Sequence, residues 1–290
     1  MPKFSSTFYR RTEIGTMVKS GEAWLQVRLN ELDSGLVWHP TFVTDDPLLR
    51  FVRVMSSWTD TRMVPNNTMR VLLDSDAADA MIERCGLLRE IAETDRELVR
   101  GPVRLDRQSW IGVGHWRRMG TAGQLGPFSD PPPALLPASF VAPSDAAPAR
   151  PSAKPYRLGL YTSTIASTGR SMWRVFLELG TEASLHRRPW SVYELQPTRA
   201  AKVLEIASAR AWCVFVQRYA KVADDLLYPN WPQVARDFDA VHMTLAAIVA
   251  TQGFAFPSSP YAIAAAYWDV ETTLWLRWCF ASIRLREVVR

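Results

Sequence analysis

Few residues in this chain could do chemistry by themselves. There are four histidines and three cysteines among 290 residues. Asp237, Asp239 and His242 lie close together and are natural metal-ligand types. On a helix Asp239 and His242 share a side at i, i+3 while Asp237 does not join them. Two ligands do not make a centre, so a satisfied histidine is the simpler reading and no metal is expected. A Ser163, His242, Asp239 hydrolase triad can also be written, but no G-x-S-x-G elbow accompanies it. Cys85, Cys213 and Cys279 are odd in number, far apart and without a CxxC pair, which points to buried free thiols. Two other places remain: the run Tyr156-Arg157-Leu158-Gly159-Leu160-Tyr161-Thr162-Ser163-Thr164, and Glu271, which opens the run Glu-Thr-Thr-Leu-Trp.

The first of these runs, followed by a helix, two strands and a helix, resembles the NAD-using ADP-ribosyltransferase-like folds, whose signature is an arginine, a tyrosine or serine, and a glutamate. The Tyr-Thr-Ser segment leading into a helix is similar to the RES-type NAD-degrading toxins within that group. Asp239-Ala240-Val241-His242 is similar to the Asp-Gly-Val segment of such proteins, with Ala240 in place of the glycine, and Glu271 resembles the family glutamate near a late strand. The resemblance covers roughly the last 135 residues and rests on order and short motifs. It implies NAD as substrate, with Glu271 stabilising the ribosyl cation, Arg157 holding the diphosphate, Tyr161 stacking on nicotinamide and Ser163 orienting the glutamate or a ribose hydroxyl. In the family the arginine lies on an earlier strand than the tyrosine or serine, so Arg104 and Arg170 are alternatives to Arg157.

The clearest boundary among the elements that hold these residues is residues 120–155. Nine of the twenty prolines fall between Pro127 and Pro155, which reads as a semi-extended linker. Ahead of it, residues 1–119 read as a small helical module. It has one or two strands over Ala23–Trp38, a helical stripe over Pro47–Trp58, a helix over Asp76–Cys85 capped by Ser75 and stopped by Gly86, and a hairpin over Leu87–Leu105. That order resembles a winged helix in outline. Asp76, Asp79 and Glu83 on the would-be recognition helix oppose phosphate, so packing or a protein partner is expected of this module.

Residues 156–290 read as a mixed α+β domain with a small antiparallel sheet. Strands are expected over Gly159–Thr164, Trp190–Leu195, Ala201–Ile206 and Glu271–Phe280, with helices after Ser171 and Ser208 and over Pro232–Asp239. Ala240–Thr244 fits a strand or a helix. The fold class is therefore α+β, in two parts joined by a linker.

Hydrophobic residues at 48% against 22% charged exclude a disordered chain. Seven of the twelve tryptophans lie beyond Tyr156, so the second part is densely packed or built around flat ligands. A net charge of +5 permits an anionic partner without requiring one. The start of the chain is basic without an apolar h-region, and the uncharged stretch Met243–Trp268 is broken by Gly and Pro, so a cytoplasmic protein with no membrane partner is expected. The acceptor of any ADP-ribose stays open, protein and nucleic acid included. The rival reading is a non-catalytic nucleic-acid-associated regulator or a structural adaptor of a viral or mobile-element assembly.

Overall fold

The computed structural model describes residues 21–34, 44–59, 71–113, 140–145, 151–155, 158–179 and 188–290. Among these residues four helices come first: α1 (Gly21–Ser34), α2 (Pro47–Thr59), α3 (Ser75–Ile82) and α4 (Gly86–Arg100). A 3-10 turn (Leu105–Arg107) leads into β1 (Gln108–Val113). Then follow β2 (Leu160–Thr164), α5 (Met172–Leu179), β3 (Trp190–Pro197), β4 (Val203–Ile206), α6 (Ala209–Arg218), β5 (Ala220–Ala223) and β6 (Leu226–Pro229). The chain closes with α7 (Trp231–Asp237), β7 (Ala240–Met243), α8 (Leu245–Thr251), β8 (Phe256–Ser258), β9 (Tyr261–Ile263), β10 (Thr272–Trp275) and β11 (Phe280–Val289).

The class is α+β, as expected, but the sheet is neither small nor wholly antiparallel. Seven strands run in the order β11-β3-β1-β2-β10-β7-β4, all neighbours antiparallel except β7 and β4. A second sheet, β5-β6-β9-β8, has no counterpart in the sequence reading. Every residue of β2, β7 and β10 is buried, because these central strands are covered on both faces.

Four expectations for the first part are corrected. The segment expected as strands is helix α1, because Leu25, Leu29 and Leu32 recur at helical spacing and all are buried. The expected hairpin is helix α4. Its polar Glu93-Thr94-Asp95 is a kink rather than a turn, with Asp95 at φ −137° and ψ 58°. The Asp95 carboxylate turns inward and accepts the Ser167 N–H at 2.6 Å and the Ser167 hydroxyl at 2.8 Å, tying α4 to the loop after β2. Helix α3 is capped by Asp74 rather than Ser75, and Gly86 opens α4 rather than ending α3. Asp79 accepts the N–H groups of Ala209 and Arg210 at 2.7 and 3.1 Å, so the would-be recognition helix is docked on the start of α6.

The division at residues 119 and 156 is also redrawn. β1 falls before that boundary, yet it lies between β3 and β2 inside the large sheet. One cluster of buried side chains runs from Leu25, Phe51 and Leu88 through Tyr161, Trp173 and Trp212 to Leu274. The end of the expected linker is likewise part of this structure. Trp231 and Trp268 donate their indole N–H groups to the Ser152 and Ala153 carbonyls at 2.9 and 3.2 Å, and the Tyr161 hydroxyl donates to Pro155. Lys154, 3% exposed, pairs with Asp269 at 2.6 Å. Backbone carbonyls that meet aromatic donors hold residues 151–155 against the core despite their prolines.

On its other face the sheet carries a smaller aromatic cluster built on Trp110, Leu160, Leu195, Ala240 and Trp275. Trp278, Phe280 and Phe140 stack edge to face over it, at centroid distances of 4.9 Å for Trp275–Phe280, 5.2 Å for Trp278–Phe280 and 6.1 Å for Phe140–Trp278. Gly159 lets the chain enter β2 beneath this cluster. It has φ +73°, and a Cβ there would collide with the Trp275 carbonyl.

Candidate active site: a hydrogen-bonded row across five strands

Strand alternation decides which side chains of β2 can meet Glu271. Tyr161 and Ser163 point to the helical layer. The Tyr161 ring lies 6.2 Å from that of Trp268, and Ser163 Oγ accepts the Trp173 N–H at 3.2 Å near the start of α5. Thr162 and Thr164 point to the opposite face, where Glu271 lies. The sheet therefore separates Tyr161 and Ser163 from the glutamate, and the expected catalytic trio is not assembled.

What the structure assembles instead begins at the Trp275 indole. Its Nε1–H donates to Thr162 Oγ1 at 2.8 Å, and that hydroxyl donates to Gln108 Oε1 at 2.5 Å. Gln108 Nε2 donates to the Arg104 carbonyl at 3.0 Å and to Thr164 Oγ1 at 3.3 Å. Thr164 Oγ1 then donates to Glu271 Oε1 at 2.8 Å, while the Thr164 N–H reaches Glu271 Oε2 at 3.0 Å. Glu271 Oε1 also meets His242 Nε2 at 2.9 Å, and His242 Nδ1 meets Glu205 Oε2 at 2.5 Å. The Val103 N–H closes the row on Glu205 Oε1 at 2.9 Å.

Both ring nitrogens of His242 face carboxyl oxygens, an arrangement that a doubly protonated ring satisfies by donating from each. Burial pulls the His242 pKa down, but the hydrogen bonds to Glu205 and Glu271 and the charges of both carboxylates outweigh it and lift the ring from 6.5 to about 9. His242 and Glu271 are wholly buried, and the Glu205 side chain is 32% exposed at the edge strand β4. The connection from Gly101 to Arg107 lies across the row, bonded to it at Val103 and Arg104, and Arg107 accepts the Ile165 N–H at 2.7 Å. Gly101 permits this approach, with φ +73° and a Cβ position only 3.2 Å from Glu205 Oε2. Thr273 lies on the same face between Thr162 and His242, and its hydroxyl has no hydrogen-bond partner among the described residues.

No family model, curated protein or solved structure matches this chain.

The remaining expected residues fall elsewhere. Arg157 lies outside the described residues. Arg104 is held by Asp106 and Glu97 at 2.8 and 3.1 Å, and Arg170 by Glu178 at 2.9 Å and by Asp46. Arg277 pairs with Asp239 at 3.1 Å, leaving Glu271 to His242. Asp237 accepts the Tyr219 hydroxyl at 2.6 Å and Asp239 accepts the Lys202 N–H at 2.8 Å, so neither faces His242, and among the described residues no group of three such side chains is arranged to hold a metal ion. Burial pushes the thiols of Cys85 and Cys213 up to about 12 and that of Cys279 to about 11, which removes them as nucleophiles at neutral pH. Sequence reasoning missed Gln108, Thr164 and Glu205. The signal for Glu205 is a charged residue inside the apolar run Val203-Leu204-Glu205-Ile206, and for Thr164 it is the residue next to the one chosen. No helix among the described residues is long and apolar enough to cross a membrane.

Proposed function

We propose that the chain consumes NAD, releasing nicotinamide and passing ADP-ribose to an acceptor or to water, with Glu271 as the carboxylate that meets the developing ribosyl cation. The observation that carries this reading is the convergence of Thr164 and His242 on Glu271 at the head of a central strand. The ADP-ribosyltransferase-like resemblance asks for a hydroxyl on one strand beside a glutamate opening a late strand. Thr164 and Glu271 stand in that relation, one residue beyond Ser163. The earlier strand is β1, and its residue beside Thr164 is Gln108, an amide where an arginine was sought, so gripping the diphosphate falls to other residues.

In the reaction the bond between ribose and the pyridinium nitrogen breaks, and its electron pair leaves with neutral nicotinamide. The positive charge left on the ribosyl ring is stabilised by Glu271, and an acceptor hydroxyl, amine or water adds and loses its proton. Because Glu271 is fully buried, substrate reaches it only when the Gly101–Arg107 connection lifts away.

The same burial favours a second reading, in which the row is a structural ion cluster of a non-catalytic binding protein. Incubation with NAD and measurement of free nicotinamide separates the two. Release is expected from the parent chain, and Thr164→Val, which removes a hydrogen bond to a charged group, should lower it about 10–100-fold. Tyr161→Phe, on the opposite face, should leave it near the parent's. No nicotinamide with water, protein or nucleic acid as acceptor, or equal loss in both variants, would favour the structural reading.

A further inference from the structure

We infer that His242 is the positioning residue for Glu271 and that Glu205 holds His242 in its doubly donating form, an inference that rests on the NAD-consuming reading above. Glu271 Oε1 has two side-chain donors, the Thr164 hydroxyl and His242 Nε2. The hydroxyl can rotate, but the ring cannot be relocated without breaking its second bond to Glu205. Glu205 is itself fixed by the Val103 N–H, outside the strand that carries His242. The direction of Glu271 is therefore set from the sheet edge, through a rigid planar ring.

The groups facing His242 from each packed element support this role. β4 presents Glu205, and the residue ahead of β10 is Glu271. β2 contributes the Thr164 hydroxyl and N–H, the α4–β1 connection contributes the Val103 N–H to Glu205, and the charged groups acting on the ring among the described residues are these two carboxyls. The ring pKa of about 9 places its loss of a proton within reach of an assay. When the imidazolium loses that proton it can serve only one carboxylate, and Glu205 competes with Glu271 for the remaining N–H.

Glu205→Gln removes that competition. The amide oxygen can keep the Val103 N–H, and the amide NH2 can donate to a neutral ring at Nδ1, which leaves Nε2–H on Glu271 whatever the pH. Nicotinamide release by the parent should fall as pH rises through about 9. In Glu205→Gln this alkaline fall should disappear. His242→Gln, whose amide nitrogen can take the place of Nε2, should retain more activity than His242→Asn, whose amide nitrogen can take the place of Nδ1, by about 10-fold or more.

Carbon-13 titration of the His242 ring in the full chain, assigned from the His242→Gln spectrum, reads the same event without turnover. It should stay cationic up to about 9 in the parent and titrate lower in Glu205→Gln. A ring that titrates near 6.5 in the parent, a release profile flat across the His242 titration, or an alkaline fall that persists in Glu205→Gln would each overturn the positioning role. If His242 titrates high but NAD yields no nicotinamide at any pH, the reaction assignment has failed and the positioning role falls with it, while the geometry of the row stands.

Discussion

Replacing Glu271 with glutamine keeps shape and volume, and at a surface position it would be silent. Here it is not. Glu271 Oε1 accepts from Thr164 Oγ1 and His242 Nε2, and Oε2 accepts from the Thr164 N–H. All of these partners donate, so an amide must turn its NH2 against one of them. The milder arrangement keeps the amide oxygen on His242 and the hydroxyl and sets NH2 against the Thr164 N–H. That buried N–H then keeps only its longer 3.3 Å approach to the Oε1 position, at a cost of about 1–3 kcal/mol. The two bonds that remain change from charge-assisted to neutral acceptance and lose roughly half their strength, about 1 kcal/mol more. Glu271→Gln should therefore destabilise the chain by about 3 kcal/mol. Equilibrium urea unfolding at neutral pH measures this, with circular dichroism to show that the folded baseline is retained. Any loss of nicotinamide release must be measured well below the unfolding midpoint, where it should be on the order of 10²–10³-fold. A stability within about 0.5 kcal/mol of the parent, the range of ordinary surface substitutions, would refute the hydrogen-bond pattern on which the site is built.

Two further outcomes test the same structure elsewhere. His242 has a folded pKa raised from 6.5 to about 9, so its stabilisation is fully present below about 6.5 and is lost as pH rises through about 9. At about 1.4 kcal/mol per unit this is about 3 kcal/mol, and urea midpoints that do not fall over that window would contradict it. Lys154→Met should cost about 1–3 kcal/mol, because it leaves Asp269 without its 2.6 Å partner and loosens residues 151–155. An unchanged urea midpoint would mean that the aromatic donors alone hold that segment.

The strands β2, β3, β4 and β10 were legible because each is a short apolar or β-branched run bounded by turn residues. Helix α4 was not, because Glu93-Thr94-Asp95 carries the composition of a turn, and only the partner Ser167, far along the chain, shows that the acid turns inward at a kink. β1 was missed for a related reason. Gln-Ser-Trp-Ile-Gly-Val has no strong alternation, and its membership of the sheet follows from pairing with strands that come later, which local pattern does not report. For the site, Glu271 stood out as an acid at the head of a buried run. The face of β2 that meets it did not. A shift of one residue exchanges Tyr161 and Ser163 for Thr162 and Thr164, and nothing in a five-residue run buried on both faces says which set points where.

The charge of the row bears on why such a cluster would be kept. Glu205, His242 and Glu271 set two carboxyl groups against one imidazole, an excess of acidic over basic groups, with two of the three side chains fully buried. An ion cluster built only for stability gains nothing from an unbalanced charge, since desolvation penalises it and apolar packing of similar volume commonly does as well. The Thr164 and Val103 N–H groups soften the excess but do not cancel it. A positively charged pyridinium, and the ribosyl cation it leaves behind, would cancel it, and would do so with dipoles already oriented before the bond breaks. Under the NAD-consuming proposal the excess serves that occupant, and the Val103 N–H of the Gly101–Arg107 connection stands in while the site is closed. Loosening that connection should then favour NAD entry and disfavour the resting structure together. Val103→Pro removes that N–H without adding charge, and it should lower stability while lowering the KM for NAD. A variant that lost stability with KM unchanged would show that the row needs no counter-charge from a ligand.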